Sequence, residues 1–509
     1  MSAPGDVLVS KNKEAIVIGA GFGGLSIANR LQSAGMQVTL LEKRPKVGGR
    51  AYQFIEKGYT FDMGPSLITA PDLIDDIFEQ AGRSASDYFD LLPLDPYYRI
   101  YFHDNTYIDY SGDAEQMKAQ MRKFNHKDAE QYDAFMKAIA PIYDEVITKK
   151  LGAQPFDTAG SMLRFTPRAM QLKAFLPVTT YVNRFFKDFR HRFMFSFHPL
   201  FIGGHPFRSP SIYLMIPFLE QKDGVWFTKG GMYTVVSALK KLFIEQGGIL
   251  KTDAEVSEIS IENGKTNGVY VDREFMPADV VVSNADFAHT YRHLVNPKWR
   301  KKWTDKKIDK IKYSMSCYLL YLGVKKQFPD LEHHTLILSE RYKGLVDDIF
   351  DGSPLPEDFS MYLHVPTKSD PDMAPPGCES IYILIPVSNL SAGTDWENNK
   401  DEFTERVLNF LEAWGMDGLK ENIEVQEVFT PLEFESELNA YQGNAFAIEP
   451  KLTQTAYFRP HNRSEDVKGL YFVGAGTHPG AGVPGVILSA EATAGCVLED
   501  VIESSVVPA

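Results

Sequence analysis

Two glycine-rich turns near opposite ends of this 509-residue chain contain the residues best suited to chemistry. Residues 19–24 read GAGFGG, the GxGxxG spacing of a turn that brings the backbone close to a pyrophosphate. Glu42 follows Gly24 by 18 residues, where its carboxylate can accept hydrogen bonds from an adenosine ribose. An acid at this position disfavours the 2′-phosphate of NADP. The spacing therefore predicts a bound dinucleotide that lacks this phosphate.

The elements needed to position the first turn flank it in the sequence. Residues 15–18 are an apolar, β-branched run typical of a strand that is buried on both faces. Apolar residues then recur in a helical pattern that ends at Gly35, and residues 37–41 are a second apolar run leading to Glu42. These patterns predict a complete βαβ unit. A glycine-rich turn with a purely structural role is the alternative.

A second glycine pair narrows the choice of dinucleotide. Residues 47–50 read VGGR, and a glycine pair followed by arginine resembles an extension in amine-oxidase-like flavoproteins, where it wraps FAD. The alternative is an ordinary basic turn after a strand. Gly64 and Pro65 form a tight turn that we expect to return the chain to the cofactor, although an unremarkable loop would have the same composition.

The second glycine-rich turn lies close to the C-terminus. Residues 474–486 read GAGTHPGAGVPGV, between an apolar strand pattern at 469–473 and a helical pattern rich in small residues. So many glycines and alanines let a flat group approach the backbone. A helix that starts near Gly485 would stabilise negative charge on that group, such as the charge on the pyrimidine side of a reduced flavin. A simple loop-to-helix turn is the alternative.

The composition excludes several other functions. The net charge of −14 and the lack of a long basic tract argue against binding to nucleic acid. Three scattered cysteines predict neither a disulfide framework nor a metal site, which fits a reducing compartment. No apolar run approaches the ~20 residues that span a bilayer, and the N-terminus has no signal-peptide pattern. We therefore expect a cytoplasmic protein with a disordered leader at residues 1–12.

The order of the patterns along the chain predicts discontinuous domains. Patterns typical of the dinucleotide unit return after residue 226 and again near the C-terminus, with aromatic strands, helices and further strands between them. The predicted class is α/β, with a Rossmann-like FAD-binding domain (a parallel sheet with a β-meander) and an inserted α+β substrate domain. The FAD-binding domain comprises residues 13–92, 226–300 and 456–509, and the substrate domain 93–225 and 301–455, including a helical membrane-associating region at about 113–220.

One segment of the insert is both aromatic and basic. Residues 163–207 form a local basic island in an acidic protein. Rings that enter the acyl boundary and cations that meet lipid phosphates would suit an interfacial helix. The alternative is a core helix whose arginines extend outward. The residues concerned are Phe185, Phe186, Phe189, Phe193, Phe195, Phe197 and Phe201, with Arg184, Lys187, Arg190, His191 and Arg192.

Several stretches together resemble one family. Residues 474–494, GAGTHPGAGVPGVILSAEATA, closely resemble the C-terminal signature of bacterial-type phytoene desaturases. Matching stretches occur in the same order over nearly the whole chain. They are LDPYYRI at 94–100, FSFHPLFIGGHPF at 195–207, SNADFAHTYR at 283–292, EDFSMYLHVP at 357–366, FTPLEFESELNAYQGNAFAIEP at 429–450 and YFRPHNRS at 457–464.

The resemblance implies an FAD enzyme that acts at a membrane surface. Such an enzyme removes hydrogen pairs from the hydrophobic polyene phytoene to give lycopene, or an intermediate such as neurosporene. Dioxygen or a membrane quinone would reoxidise the cofactor. The FAD-binding residues that we predict are Gly19, Gly21, Phe22, Gly23, Gly24, Glu42, Lys43, Gly49, Arg50, Gly64, Pro65, Val256, Asn284, Gly474, Gly476, Gly485 and Val486.

The proton acceptor and the exact reaction stay open at this point. His198 and His205 are candidate bases, but a structurally bonded histidine is the commoner case, so no catalytic residue is assigned. One alternative function is desaturation of a thirty-carbon diapocarotenoid. Others are a flavin-dependent carotenoid isomerase, an amine oxidase and a non-enzymatic prenyl-lipid escort of the same fold.

Overall fold

The computed structural model describes residues 13–352, 355 and 357–506, so the predicted leader lies outside the described residues. Nineteen strands can be bounded in this part of the chain. In chain order they are β1 Glu14–Ile18, β2 Gln37–Leu41, β3 Gln53–Glu56, β4 Tyr59–Asp62, β5 Leu91–Pro93, β6 Tyr98–Tyr101, β7 Tyr107–Tyr110, β8 Trp226–Thr228, β9 Ile249–Lys251, β10 Val256–Glu262, β11 Lys265–Val271, β12 Glu274–Pro277, β13 Val280–Ser283, β14 Ser316–Val324, β15 His334–Ile337, β16 Met361–His364, β17 Glu379–Val387, β18 Ile423–Phe429 and β19 Leu470–Phe472.

Helices of eight residues or more connect and cover these strands, and short 3₁₀ and π turns lie between them. The longer helices are α1 Phe22–Ser33, α2 Pro71–Gln80, α3 Ala114–Arg122, α4 His126–Tyr143, α5 Ala159–Gln171, α6 Met215–Asp223, α7 Tyr233–Glu245, α8 Tyr342–Asp351, α9 Trp396–Trp414, α10 Pro431–Leu438 and α11 Val483–Val506.

A five-stranded parallel sheet contains the strands that flank both glycine-rich turns. Its strand order is β19-β13-β1-β2-β9, with all neighbours parallel. The predicted βαβ unit is confirmed as β1, α1 and β2, and four of the five residues of β1 are buried, as a strand covered on both faces requires. Since β19 joins the sheet beside β13, the two ends of the chain reach the same sheet.

A β-meander lies beside this sheet, as predicted. Strands β10, β11 and β12 pair antiparallel in sequence order. Asn263 and Gly264 connect β10 to β11 with φ values of 50° and 77°. Positive φ at both residues is the geometry of a two-residue hairpin turn, which explains the Asn-Gly pair.

The largest sheet has seven strands. Its order is β18-β14-β17-β16-β15-β6-β7, so strands 98–110 from the first inserted segment join five strands from the second. Strand β14, which lies between β18 and β17, is buried along its whole length. The arrangement confirms the predicted α/β class with an inserted α+β part.

The aromatic and basic segment is mostly core, so the alternative reading of this segment describes it better. Phe186, Phe195 and Phe197 are buried in the largest hydrophobic cluster, whereas Phe189 is 43% exposed. The segment contains short helices such as Phe189–Met194 rather than one amphipathic helix. Among the described residues, no helix has both the length and the apolar character needed to cross a bilayer.

Candidate cofactor and substrate site

The first glycine turn is shaped by close backbone contacts. Gly19 has φ +90°, which favours glycine, and a Cβ on Gly24 would lie 1.9 Å from the carbonyl oxygen of Gly19. Gly21 is the N-cap of α1, and its position receives no side-chain cap. The first N–H groups of α1 therefore stay available to an anion at the helix N-terminus.

Glu42 is held at the end of β2 before any ligand arrives. Its carboxylate accepts hydrogen bonds from the backbone N–H of Ala20 at 2.7 Å and of Arg44 at 3.0 Å, and the residue is only 6% exposed. Lys43 lies beside it and donates to Asn439 Oδ1 at 2.8 Å. Burial lowers the pKa of Lys43. The carboxylate is thus fixed in position by the backbone around it.

Asn284 brings the two glycine-rich turns together. Its Nδ2 donates to the Gly19 carbonyl at 3.1 Å. A Cβ on Gly23 would lie 2.5 Å from Asn284 Oδ1, and a Cβ on Gly474 would lie 2.7 Å from the same atom. Glycine is therefore needed on both sides of this amide.

A buried arginine supports the C-terminal turn. The Arg459 guanidinium donates to the carbonyl oxygens of Ala475 at 2.6 Å, Thr477 at 2.9 Å and Ile448 at 3.1 Å. Burial lowers its pKa to about 10, so the guanidinium remains charged at neutral pH. Arg459 belongs to the stretch YFRPHNRS at 457–464, but neither its residue type nor its spacing indicated this supporting role.

The second glycine pair and the Gly64 turn also meet. A Cβ on Gly64 would lie 2.2 Å from the Arg50 carbonyl oxygen, so the Gly64 turn packs against the backbone of the second glycine pair's arginine. The Arg50 side chain donates to the Asn444 carbonyl at 3.3 Å, but its buried Nε has no hydrogen-bond partner. Burial lowers the pKa of Arg50. An unsatisfied buried cationic donor fits an anionic ligand such as a pyrophosphate.

One cavity connects nearly all of the predicted cofactor residues. Gly24 and Gly476 do not line it, because Gly24 packs against the Gly19 carbonyl and Gly476 packs against Phe287. These two glycines allow close packing on the side of each turn that faces away from the cavity. The predicted residues that line the cavity are Gly19, Gly21, Phe22, Gly23, Glu42, Lys43, Gly49, Arg50, Gly64, Pro65, Val256, Asn284, Gly474, Gly485 and Val486.

The same cavity continues into an apolar and aromatic part. Side chains from the seven-stranded sheet form one wall and side chains from the aromatic segment form another. This part has few charged groups, so it suits an occupant that is held mainly by burial. Residues lining it include Phe193, Phe197, Phe201, Tyr213, Cys317, Leu319, Leu336, Tyr342, Tyr362, Tyr382, Leu384 and Phe429.

The two histidines considered from the sequence are structurally bonded and do not line this cavity. His198 Nε2 lies 3.0 Å from Glu220 Oε2, and His205 Nε2 lies 3.0 Å from Asp347 Oδ1. Burial lowers the pKa of His205 to about 4. Neither histidine is placed to take a proton from a cavity ligand.

The class of protein follows from the fold and the site. Residues 22–498 match the family described as flavin containing amine oxidoreductase, so the chain is a flavoprotein of this family with FAD as its cofactor. Putrescine oxidase bound to putrescine aligns over 97% of this chain and 99% of its own, with a TM-score of 0.63 and 14% identity. Cyclohexylamine oxidase from Brevibacterium oxydans IH-35A aligns with a TM-score of 0.61 over 96% and 99% of the two chains, also at 14% identity. These two likenesses concern the fold.

Within this family the chain belongs to the bacterial-type phytoene desaturases. It is 43% identical to the lycopene-forming phytoene desaturase of Pseudescherichia vulneris, over 96% of this chain and 99% of that protein. The lycopene-forming phytoene desaturase of Pantoea ananas is also 43% identical, over 96% and 100%. The neurosporene-forming phytoene desaturase of Rhodobacter capsulatus is 39% identical, over 96% and 95%.

Proposed function

We propose that this chain desaturates phytoene, using FAD to introduce successive double bonds and give lycopene. The observation that carries the proposal is the single cavity that runs from the glycine-rich cofactor residues to an apolar, aromatic part. Relatives at 43% identity are lycopene-forming, which favours lycopene over neurosporene as the product. An amine oxidase would need polar groups to hold an amine, and the aromatic part offers few.

Recognition of such a substrate rests on burial. A polyene has no polar atom to bind, so its affinity comes from apolar area removed from water at ~25 cal/mol per Å², less the cost of ordering the chain. Tyr382 and Leu384 of β17, with Leu336 of β15, would supply this surface from one side. Phe193, Phe197 and Phe201 of the aromatic segment would supply it from the other side.

The residues of the turns would hold FAD and leave the chemistry to the cofactor. FAD, when bound, accepts two electrons and one hydrogen from a carbon–carbon single bond. Arg50 would satisfy its unpartnered Nε on the pyrophosphate, and Glu42 would accept from the ribose. The N-terminus of α11 would stabilise negative charge near Gly485. The second hydrogen of each pair leaves the substrate as a proton.

We further propose contact with a membrane surface in the cytoplasm, because the substrate is a membrane hydrocarbon. Helix α5 exposes Leu163 at 71% and Met170 at 65%, two turns apart on one face. Phe458, 55% exposed, belongs to a short turn packed against α5, and the exposed Arg164 is available to lipid phosphates. A membrane quinone or dioxygen would then accept the electrons.

The domain division also remains a proposal, with support from the sheets. All strands of the parallel sheet come from residues 13–92, 226–300 and 456–509, and all strands of the seven-stranded sheet come from 93–225 and 301–455. We infer that the first group of segments binds FAD and that the second binds the polyene.

The test is incubation of the purified protein with FAD and phytoene in liposomes, followed by the absorption spectrum of the extracted product. We expect a spectrum shifted to the red by the added conjugated double bonds, and no product without FAD. A product with rearranged but not additional double bonds would favour an isomerase. A colourless protein that takes up no FAD would favour an escort. A thirty-carbon 4,4′-diapophytoene substrate, on which a 32% identical relative acts, is tested in parallel.

A further inference from the structure

A short chain of hydroxyl and imidazole groups begins at the cavity wall. Ser66 and Tyr362 both line the cavity, and the Ser66 Oγ lies 2.5 Å from the Tyr362 hydroxyl. The same hydroxyl lies 2.6 Å from Nδ1 of His334, which is fully buried behind the wall. These are polar groups in a wall whose occupant, as proposed above, has none.

Two more histidines lie next to His334, although no hydrogen bond joins His334 to either of them. One ring nitrogen from each of His333, His334 and His364 lies within 4.8 Å of those of the other two. His364 Nε2 and His333 Nε2 are 3.1 Å apart, and His333 Nδ1 is 2.7 Å from the Ser369 Oγ. Ser369 is only partly buried, so the hydrogen bonds from His364 through His333 to Ser369 lead towards the protein surface.

These groups are costly to keep without a function. Burial alone lowers the pKa of His333 to about 3, and burial also holds the pKa values of His334 and His364 well below the usual range, so all three rings are neutral. His334 Nε2 has no hydrogen-bond partner. An unsatisfied buried polar atom costs about 1–3 kcal/mol. Packing alone therefore does not explain the three buried histidines.

We propose that the Tyr362–His334 pair takes the substrate's proton at the cavity wall, and that the neighbouring His364, His333 and Ser369, which no hydrogen bond joins to His334, pass it on to solvent. This inference rests on the proposed dehydrogenation, in which a carbon–carbon bond loses two electrons and two hydrogens. The electron pair and one hydrogen go to FAD, and the other hydrogen leaves as a proton while the carbons form a double bond. The Tyr362 oxygen takes that proton as its own proton moves to His334 Nδ1.

A neutral phenol is a sufficient acceptor in this step. The proton comes from a carbon next to positive charge spread over neighbouring double bonds, and such a carbon acid is strong. Neutral imidazoles can then pass the proton from one ring nitrogen to the other, because each ring has one donor and one acceptor nitrogen. Tyr362 is the catalytic residue, since it faces the substrate. The three histidines act through Tyr362 and are positioning residues.

The first test compares Tyr362→Phe with Tyr318→Phe in the FAD-loaded enzyme. Tyr318 lies in the same sheet, is also buried and bonds to Thr404 at 2.6 Å, but it does not line the cavity. We expect Tyr362→Phe to lower kcat about 100-fold with little change in KM, the usual scale for a proton-transfer group. The Tyr318 variant should keep the wild-type kcat and solvent deuterium isotope effect. A Tyr362→Phe enzyme that matches Tyr318→Phe in both values overturns the proposal.

The second test does not depend on activity. In cofactor-free protein, the Tyr362–His334 hydrogen bond should protect an imidazole or phenol proton and give a downfield NMR resonance. This resonance should disappear in Tyr362→Phe and stay in Tyr318→Phe, and its absence from the wild type contradicts the proposal. Metal bound to the histidines in stoichiometric amount would also overturn it, because the ring lone pairs would be occupied.

The failure of the proton path can be told apart from the failure of the proposed function. If the wild type makes no new double bonds from phytoene, the proposed function fails together with the proton path. If the wild type is active and Tyr362→Phe has the same activity, only the proton path is contradicted.

Discussion

Gly474 lies so close to Asn284 that any side chain at residue 474 would collide with the amide, its Cβ lying 2.7 Å from Asn284 Oδ1. The same amide donates to the carbonyl of Gly19. Asn284 therefore joins the N-terminal and C-terminal glycine turns, although 190 residues separate it from Gly474. This contact explains how two distant motifs form one cofactor site.

We predict that Gly474→Ala lowers the affinity for FAD at least about tenfold. The substitution adds a collision with Asn284 and places alanine at φ +101°, a conformation that costs of order 1–3 kcal/mol for a non-glycine residue. Gly495→Ala is the matched control, because this glycine is exposed in α11 and a Cβ there meets nothing within 4 Å. Alanine at 495 should leave FAD binding unchanged and stabilise the helix by about 0.5–1 kcal/mol. Equal FAD titrations for the two variants would contradict the prediction.

We predict that Arg459→Met destabilises the C-terminal turn by several kcal/mol, roughly 3–5. Four backbone carbonyls lose a charged donor, of which the Gln454 bond at 3.4 Å is the longest, and each good bond contributes about 1.5–3 kcal/mol before relaxation. Arg459→Lys should recover only part of this loss, since one ammonium cannot reproduce the planar fork. Thermal melts of apoprotein and FAD titrations measure both effects. A methionine variant with the wild-type melting temperature would show that Arg459 does not support the turn.

The features of the fold and site that could be predicted are those with a local sequence pattern. The βαβ unit, the β-meander and the α/β class follow from periodicity and turn chemistry. The meeting of Asn284 with Gly474, and the support from Arg459, are long-range contacts with no local pattern. The burial of most rings in the aromatic segment could not be predicted for a related reason, because a ring packed in the core and a ring that enters lipid look alike in sequence.

The histidine cluster makes a prediction about acid stability. The pKa of His333 is lowered from an ordinary value of 6.5 to about 3 by burial, so the unfolded chain binds more protons between these values. Stability is therefore fully present above about pH 6.5 and falls as the pH drops toward 3, by up to roughly 5 kcal/mol for this group. Denaturant unfolding at pH 7 and pH 5 should show a smaller difference in His333→Gln than in the wild type. The same pH dependence in both proteins would contradict the burial argument.

The exposed face of α5 makes a prediction about membrane contact. Leu163→Glu with Met170→Glu should weaken binding to anionic liposomes at least about tenfold, because two apolar side chains lose their transfer into the lipid boundary. Ile55→Glu is the control, as this residue is 67% exposed on β3 and lies outside the α5 face. FAD content should be the same in all three proteins. Sedimentation with liposomes distinguishes the variants, and equal sedimentation of all of them would remove α5 as the contact.

The central claim is that both glycine turns hold one FAD beside a channel for a polyene. The most direct measurement is a single turnover without oxygen or quinone, with the FAD-loaded protein and excess phytoene in liposomes. The claim predicts one FAD reduced for each double bond formed, and arrest after that single step. Product accumulating beyond the FAD present, or a red-shifted product with FAD still fully oxidised, would contradict it.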